Sequence, residues 1–205
     1  MATTRILLVR HGETDWNRNG QVMGKLPIPL NEQGRRQARR LAAFLQRSHV
    51  HSVYSSPVLR AHQTATILAE SLARQVDIEP GLTEIGMGEW EGRYWKDLAQ
   101  DVNKLNLYLM PDEARPPRGE TLREVQTRAV AAIEHSRTSS ESTTLVFVTH
   151  ADVVRAIIAH YMGFELRRIR QVRIDHASLT SLEFGEELAA LLHLNLVPTG
   201  DATFP

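Results

Sequence analysis

The sequence predicts an α/β protein: a three-layer α/β/α sandwich with a mostly parallel sheet, an antiparallel edge strand and a single domain over residues 1–205. Two continuous apolar runs, residues 6–9 and 145–148, have the pattern of strands buried on both faces. Helical patterns alternate with short strand patterns as far as His150, which is typical of a parallel sheet covered by helices. The strand patterns after Arg168 favour a terminal hairpin and hence an antiparallel edge.

Composition narrows the range of partners and locations. The formal net charge is zero, so neither nucleic acid nor an anionic membrane surface is favoured as a partner. The chain contains no cysteine, which excludes disulfides, cysteine metal sites and thiol nucleophiles. The apolar run near the N-terminus is too short for a signal peptide, and no stretch reaches the length of a membrane span. A cytoplasmic location is therefore expected.

Capping residues predict where three of the helices begin. Asn31 is a favourable N-cap, and Thr121 with Glu124 has the spacing of a capping box. Ser56 followed by Pro57 predicts another helix start. The predicted elements, in order, are a strand over 6–9, a helical turn or irregular segment over 15–19, a loop over 20–30, a helix to about 48, a strand over 53–55, a helix to about 74, a strand over 76–79, a helical region over 95–110 in one or two pieces, a loop over 111–120, a helix to about 137, a polar connection over 138–143, a strand over 145–148, a helix over 151–161, and strands over 172–174, 179–184 and 191–197.

Each of the two buried strands ends in a histidine. His11 follows Arg10 at the end of the first strand, and His150 ends the other. Because ligands collect at the carboxyl ends of strands in open α/β sheets, we expect the two imidazoles at the same sheet edge. Arg60, near the start of a neighbouring helix, adds a second guanidinium. Two guanidiniums and two imidazoles suit a phosphoryl group better than a carboxylate.

An imidazole in such a site can also act as a nucleophile. Neutral histidine can attack phosphorus and form a phosphohistidine that water then hydrolyses. For this His11 must be unprotonated, so we expect a backbone carbonyl to hold its other ring nitrogen. The sequence has no glycine-rich Walker loop and no aspartate pattern for magnesium, so no metal or other cofactor is expected.

The leaving group needs a proton, which a carboxylic acid with a raised pKa can supply. Glu84 is the first candidate for this proton donor. Glu13, Glu89 and Glu91 also lie in or near polar loops, and physical reasoning from the sequence does not choose among the four.

Five ordered motifs resemble the histidine phosphatase superfamily, also called the phosphoglycerate mutase-like family. They cover residues 5 to about 160, and an accidental match of all five is implausible. The matching stretches are Arg-His-Gly-Glu-Thr at 10–14, Ser-Ser-Pro at 55–57 with Arg-Ala at 60–61 and Gln-Thr-Ala at 63–65, Leu-Thr-Glu-Ile at 82–85 with Gly-Glu-Trp-Glu-Gly at 88–92, Gly-Glu-Thr at 119–121, and Val-Thr-His at 148–150.

The resemblance assigns roles to the residues that match these motifs. It implies that His11 is the phosphorylated nucleophile and that Glu84 is the proton donor. It also implies that Arg10, Arg60 and His150 bind and stabilise the transferring phosphoryl group.

Five further residues are predicted to bind substrate. The resemblance implies a phosphate contact for Asn17, and Thr14 is expected in the same pocket, although a loop-capping role is the alternative for both. Ala151 stands where the family usually has a glycine that lets a backbone amide approach the phosphate, so we expect a retained but reshaped site. Gln21 and Arg93 are expected to face the rest of the substrate.

Four other residues near the motifs are interpreted as structural. His176 lies where the family often has asparagine, with a position bordering the pocket as the alternative. Trp16, Trp90 and Trp95 are expected to pack in the core or in loops, and lining of a substrate cavity is the alternative.

The phosphatase branch of the family is the better match. Glycolytic mutases carry a longer, strongly basic insertion after the acid-bearing loop. The corresponding residues 95–118 here are few and carry only Lys96, Lys104, Arg115 and Arg118 as basic residues. We therefore expect a phosphomonoesterase acting on a small-molecule phosphate monoester, with a cofactor-dependent phosphoglycerate mutase as the alternative. A second alternative is an inactive binding or regulatory member, which the presence of His11, Glu84 and His150 disfavours. A homodimer formed through the terminal strands is also expected.

Overall fold

The computed structural model describes residues 3–137, 142–185, 188–199 and 204. Its helices and strands alternate as the sequence predicts, and short 3₁₀ turns lie at Pro80–Leu82, Gly88–Trp90 and Leu166–Gln171. The elements are β1 (Thr4–Arg10), α1 (Asp15–Asn19), α2 (Glu32–Leu45), β2 (Ser52–Ser55), α3 (Leu59–Leu72), β3 (Val76–Ile78), α4 (Val102–Leu109), α5 (Leu122–Ser136), β4 (Thr143–Thr149), α6 (Ala151–Met162), β5 (Leu179–Phe184) and β6 (Ala189–Leu196).

The described strands form one sheet in the order β3-β2-β4-β1-β5-β6. Strands β1 to β4 pair in parallel, whereas β5 pairs antiparallel with β1, and β6 pairs antiparallel with β5. The predicted α/β fold class is confirmed, and the antiparallel part contains two strands. In the described ranges no helix combines the length and the apolarity needed to cross a bilayer.

The sheet separates two apolar cores. Ile6 and Leu8 of β1 belong to the cluster that includes α5 and α6, whereas Leu7 and Val9 belong to the cluster that includes α2 and α3. Side chains alternate between the two faces of a strand, so a strand covered on both faces must be apolar throughout. This requirement explains the unbroken apolar run at residues 6–9, each of which is fully buried.

Strand register places the two predicted histidines together. Arg10 in β1 lies opposite Thr149 in β4, and the next residue in each chain segment is a histidine. The His11 N–H donates to the Thr149 carbonyl at 2.9 Å, which continues the pairing by one residue. His11 and His150 therefore leave adjacent parallel strands at the same sheet edge, as predicted.

Helix boundaries follow the predicted caps in two of the three cases. The Asn31 side chain accepts from the Gly34 N–H at 2.8 Å, and Thr121 forms the predicted capping box with Glu124. The third prediction was wrong, because α3 begins at Leu59 rather than at Ser56 and Pro57. The Ser56 N–H bonds to a carbonyl of β4, so this residue extends the sheet pairing instead of opening the helix.

Other boundaries also differ from the prediction. Helix α2 ends at Leu45, three residues early, and only Val102–Leu109 is α-helical within the predicted region 95–110. Most of the polar connection predicted for residues 138–143 lies outside the described residues.

The strand predicted over residues 172–174 is wrong. These residues follow a 3₁₀ turn and adopt no strand structure. The carbonyl of Val172 accepts from Arg155 Nε at 2.8 Å, and that of Ile174 accepts from Arg10 Nη1 at 2.7 Å. These two backbone carbonyls therefore accept from arginine side chains instead of from the N–H groups of a neighbouring strand.

Two glycines allow α2 to approach the turn that follows His11. A Cβ atom on Gly12 would lie 2.5 Å from the Gly34 carbonyl oxygen. A Cβ atom on Gly34 would lie 2.1 Å from the Glu13 carbonyl oxygen. Both atoms belong to the backbone, so a side chain cannot be accommodated by a rotamer change alone. The first turn of α2 and the backbone beside His11 thus form one tightly packed unit.

Replacing Gly34 with alanine is expected to destabilise the protein. Helix propensity alone would make this change favourable by about 0.5–1 kcal/mol, but forced overpacking typically costs about 1–3 kcal/mol. The overlap with Glu13 should dominate, so the urea midpoint of Gly34→Ala should fall. Gly185→Ala is the matched control, because the nearest atom to its added Cβ is 3.8 Å away. An unchanged midpoint for Gly34→Ala would show that the backbone moves apart at no cost.

Candidate active site

The hydrogen bonds of its two ring nitrogens hold His11 in one tautomer. The imidazole belongs to a residue that is 1% exposed, and its Nδ1 atom lies 2.6 Å from the Gly12 carbonyl oxygen. Its Nε2 atom lies 3.2 Å from Nε of Arg60. Arginine can only donate, so Nε2 of His11 is the acceptor and Nδ1 carries the proton. The predicted carbonyl contact is therefore present, and the Nε2 lone pair points into the site.

Charge and burial keep this imidazole neutral. Burial lowers the pKa of His11 well below its ordinary value, and the nearby charges of Arg60 and Arg10 act in the same direction. Neutral imidazole is the form that can act as a nucleophile.

His150 lies beside His11. The two ring centroids are 5.2 Å apart. Ser56 Oγ lies 2.9 Å from Nε2 of His150 and accepts from the Val58 N–H at 3.2 Å. The buried Nδ1 atom of His150 has no hydrogen-bond partner among the described residues, and Oε2 of Glu84 lies 3.6 Å from it. Burial and the Arg60 charge lower the pKa of His150, so this ring is neutral too.

Arg60 is a fully buried cation at the centre of the site. Besides its contact with His11, its Nη2 atom donates to the Gly24 carbonyl at 2.8 Å and its Nη1 atom to the Leu26 carbonyl at 3.2 Å. Both carbonyls belong to the predicted loop over residues 20–30. The loop thus fixes the guanidinium by backbone contacts, as a preorganised charge requires.

Arg10 is the second guanidinium of the site. Its Nη1 atom donates to the Ile174 carbonyl, and its Nη2 atom lies 2.7 Å from Nε2 of His176. Burial lowers the pKa of Arg10 to about 10, so it stays a cation at neutral pH. Arg10 also lines the cavity beside His11.

Among the four candidate acids, Glu84 lies with the histidines. Its Oε2 atom is 3.6 Å from Nδ1 of His150 and 3.8 Å from Nη2 of Arg60. The pKa of Glu84 is raised to about 7: burial is the largest cause, the carboxylate of Asp152 acts in the same direction, and the Arg60 charge opposes both. Glu84 is therefore the one of the four candidate acids whose carboxyl the structure places beside a histidine.

The other three acids are engaged away from the histidines. Their carboxylates hold loops and surface ion pairs rather than the site. Glu13 accepts from Asn31 Nδ2, Glu89 pairs with Arg118, and Glu91 accepts from the backbone N–H groups of Lys25 and Met87.

A cavity of about 380 Å³ opens above His11. Its wall includes Gln21, whose contact with substrate stays a prediction, together with Trp16 and Trp95. Trp90 is instead a core residue that is 1% exposed and meets Trp95 edge to face. The cavity wall therefore includes two of the three tryptophans, as the alternative interpretation had it, and Trp95 also packs against the core as expected.

Asn17 and Thr14 form the capping arrangement that was the alternative reading. The Thr14 side chain accepts from the Asn17 N–H, and Asn17 Oδ1 accepts from the Thr14 N–H at 3.0 Å. Thr14 is fully buried and does not line the cavity, so the expectation that it faces substrate was wrong. Asn17 does line the cavity, and with Oδ1 occupied by the cap its Nδ2 donors are the atoms it can offer a ligand.

Two further expected substrate contacts lie outside the cavity wall. Arg93 is exposed and is not among the residues that line the cavity, and its backbone carbonyl accepts from the Val22 N–H. Ala151 is half-buried, and its methyl group packs against the apolar cluster that contains α6. Its backbone N–H stays a predicted phosphate donor at the N-terminus of that helix.

The cavity wall also contains an ion-pair cluster that was not predicted from the sequence. Asp152 lies 2.9 Å from Nη1 of Arg155 and 3.5 Å from Nη2 of Arg170. All three residues line the cavity. The sequence signal was available, because Asp152 and Arg155 have helical i,i+3 spacing directly after His150.

The site has the composition of a metal centre but the charge of an anion site. Ligand atoms of His11, Glu84 and His150 lie within 4.8 Å of one another. However, Arg10 and Arg60 stand beside them as cations, which disfavours a further positive charge and favours a negative one. The residues fit a phosphoryl group better than a metal ion.

Two neutral imidazoles, two guanidiniums and a carboxyl with a raised pKa meet at one edge of the sheet. These groups define an anion-binding α/β protein with the components of a phosphoryl-transfer site. Comparison with known families agrees with this class. The model of the histidine phosphatase superfamily (branch 1) matches residues 6–197, and the chain belongs to that family.

Similar proteins carry both phosphatase and mutase names. Phosphoserine phosphatase 1 of Hydrogenobacter thermophilus is 31% identical over 94% of this chain and 92% of its own length. Probable phosphoglycerate mutase GpmB of Shigella boydii is 26% identical over 90% of this chain and 86% of its own. The crystal structure of Entamoeba histolytica phosphoserine phosphatase in complex with 3-phosphoglyceric acid aligns with a TM-score of 0.84 and 26% identity, over 94% of this chain and 96% of that one.

Proposed function

We propose that this protein is a phosphomonoesterase that hydrolyses small phosphorylated metabolites through a phosphohistidine on His11, with Glu84 as proton donor. One observation carries the proposal: the unprotonated Nε2 of His11 lies against the buried cation of Arg60, with the acidic Glu84 within reach of the same cation. Family membership supports hydrolysis of a phosphate monoester without a metal. Phosphoserine, named for two of the relatives above, is a substrate of this chemical class.

In the first step the His11 Nε2 lone pair attacks phosphorus, a P–N bond forms and the P–O ester bond breaks. The phosphoryl oxygens take over the Arg60 donor that contacts Nε2 and also bind Arg10 and the imidazole of His150. Protonated Glu84 gives its proton to the leaving oxygen, so the product is a neutral alcohol.

In the second step water attacks the phosphohistidine. Glu84, now a carboxylate, takes a proton from the water, because the group that donates in one direction accepts in the next half-reaction. The P–N bond breaks, inorganic phosphate leaves, and His11 and Glu84 return to their starting forms. The N–H of Ala151 and the Nδ2 of Asn17 supply further donors to phosphoryl oxygens, helped by the positive end of α6.

Chemical trapping of the intermediate tests this function. After incubation with p-nitrophenyl [³²P]phosphate and rapid denaturation, wild-type protein should carry a label that is stable in alkali and lost in acid. His11→Ala should carry none, whereas His135→Ala, which changes an exposed histidine of α5, should be labelled like the wild type. Labelling of His11→Ala, or wild-type turnover without any trapped label, would contradict the proposed nucleophile.

A phosphoglycerate mutase is the second candidate, favoured by the similarity to a protein of that name. Few basic residues follow the acid-bearing loop, so this chain offers little to hold a second phosphate. Wild-type protein supplied with 3-phosphoglycerate should therefore release phosphate faster than it forms 2-phosphoglycerate. The reverse order of rates would favour the mutase. A homodimer through the terminal strands and a cytoplasmic location stay predictions of the sequence.

A further inference from the structure

The guanidinium of Arg10 is held by two residues of the segment that precedes β5, Ile174 and His176. Nη1 donates to the Ile174 carbonyl at 2.7 Å, and Nη2 lies 2.7 Å from Nε2 of His176. Because arginine has no acceptor, Nε2 of His176 must be unprotonated and must accept. The buried Nε of Arg10 has no hydrogen-bond partner in the described part of the chain. Two of the three guanidinium nitrogens are therefore fixed by protein.

The turn that carries His176 is built onto the end of β1. The Ala177 N–H donates to the carbonyls of Arg10 and His11 at 3.0 and 3.2 Å, and the Arg10 N–H donates to the Ser178 carbonyl at 3.2 Å. Ala177 has a φ of 51°, a left-handed conformation that an alanine adopts only when its surroundings enforce it. Strained backbone of this kind concentrates at functional sites, and here it sets the position of His176.

We propose that His176 is a positioning residue that holds the Arg10 guanidinium in the orientation in which it binds the phosphoryl group. The imidazole does not line the cavity, and its ring centroid lies 6.0 Å from that of His11. It acts on substrate only through Arg10. The inference rests on the proposed function, because it names the support of one of that site's phosphate ligands.

An imidazole is well suited to this task. As a neutral acceptor it satisfies a half-buried cation without cancelling the positive charge that the phosphate needs, whereas a carboxylate would neutralise that charge. Burial and the Arg10 charge lower the pKa of His176 to about 3, so it remains an acceptor throughout the neutral range. The ring also fixes the direction of one donor of the fork, and bidentate recognition of phosphate depends on that direction.

Binding of inorganic orthovanadate measured by calorimetry tests the inference without requiring turnover. His176→Ala should weaken orthovanadate binding about tenfold or more, as expected when a charge-assisted hydrogen bond is lost, and should raise KM for p-nitrophenyl phosphate more than it lowers kcat. His176→Gln, whose Oε1 can accept from Arg10, should recover most of the affinity, and His176→Lys, which has no acceptor, should not. His135→Ala should bind like the wild type.

A double-mutant cycle separates positioning from a general packing role. In an Arg10→Lys background, His176→Ala should cause little further loss of orthovanadate affinity, because the group it positions is gone. Fully additive losses, or failure of His176→Gln to recover binding in a protein with wild-type Tm, would overturn the inference. If orthovanadate binds as expected while no phosphohistidine is trapped in the wild type, the proposed function fails and the positioning role survives.

Discussion

Removal of the His11 imidazole is expected to lower kcat by roughly 10⁴-fold or more, the size of effect seen when a covalent nucleophile is deleted from a preorganised site. Arg10, Arg60 and His150 remain in His11→Ala, so binding of the phosphoryl group should persist even though no P–N bond can form. Steady-state hydrolysis of p-nitrophenyl phosphate checks the first expectation, and binding of orthovanadate checks the second.

The control for this prediction is the exposed His135, which does not line the cavity and whose replacement by alanine removes the same ring. A His11→Ala enzyme within tenfold of the wild-type kcat would mean that water or another group attacks phosphorus directly. A large fall in Tm would instead show that the hydrogen bonds of His11 to Gly12 and Arg60 stabilise the turn.

The second large effect is expected from Glu84→Gln, and its size should depend on the leaving group. General acid catalysis typically contributes about 10²–10⁴-fold, so kcat for an alkyl phosphate such as phosphoserine should fall by that factor. p-Nitrophenolate leaves without a proton, so hydrolysis of p-nitrophenyl phosphate should fall much less. The ratio of the two rates, compared between wild type and variant, is the measurement.

The pH profile provides an independent check on the same residue. Burial raises the pKa of Glu84 to about 7, and the first step requires the protonated form. Wild-type kcat/KM for phosphoserine should therefore decline as the pH rises through about 7. A substrate dianion near Glu84 favours protonation, so the corresponding decline in kcat should lie at higher pH.

Glu84→Gln cannot titrate and should lack this alkaline decline, while any limb caused by ionisation of the substrate remains. Equal losses for the alkyl and aryl esters, together with an unchanged alkaline limb, would show that another group delivers the proton. The same tests on Glu91→Gln serve as a comparison, because that carboxylate holds backbone N–H groups of two loops instead.

Much of the fold and the centre of the site could be predicted because they depend on local pattern. The apolar runs at 6–9 and 145–148 must be buried on both faces, and each ends at a histidine, so the sheet edge follows from strand direction alone. The capping residues Asn31 and Thr121 also act locally. Such features need no knowledge of which side chains meet in space.

Features that depend on tertiary contacts could not be read from the pattern. Residues 172–174 alternate like a strand, yet their carbonyls serve Arg10 and Arg155. Physical reasoning from the sequence left four candidate acids, and only the resemblance named Glu84, whose carboxyl lies beside His150 and Arg60 in the structure. His176 was interpreted as structural, and its contact with Arg10 arises only when the turn after the 3₁₀ segment packs onto β1.

The buried cation of Arg60 and the half-buried cation of Arg10 have a consequence for turnover. Inorganic phosphate has the same charge and nearly the same shape as the group being transferred, so the site that captures the ester also retains the product. A site that binds the ester tightly is therefore expected to release inorganic phosphate slowly. On the proposed function, accumulated phosphate is therefore expected to compete with the ester for the site and to slow turnover.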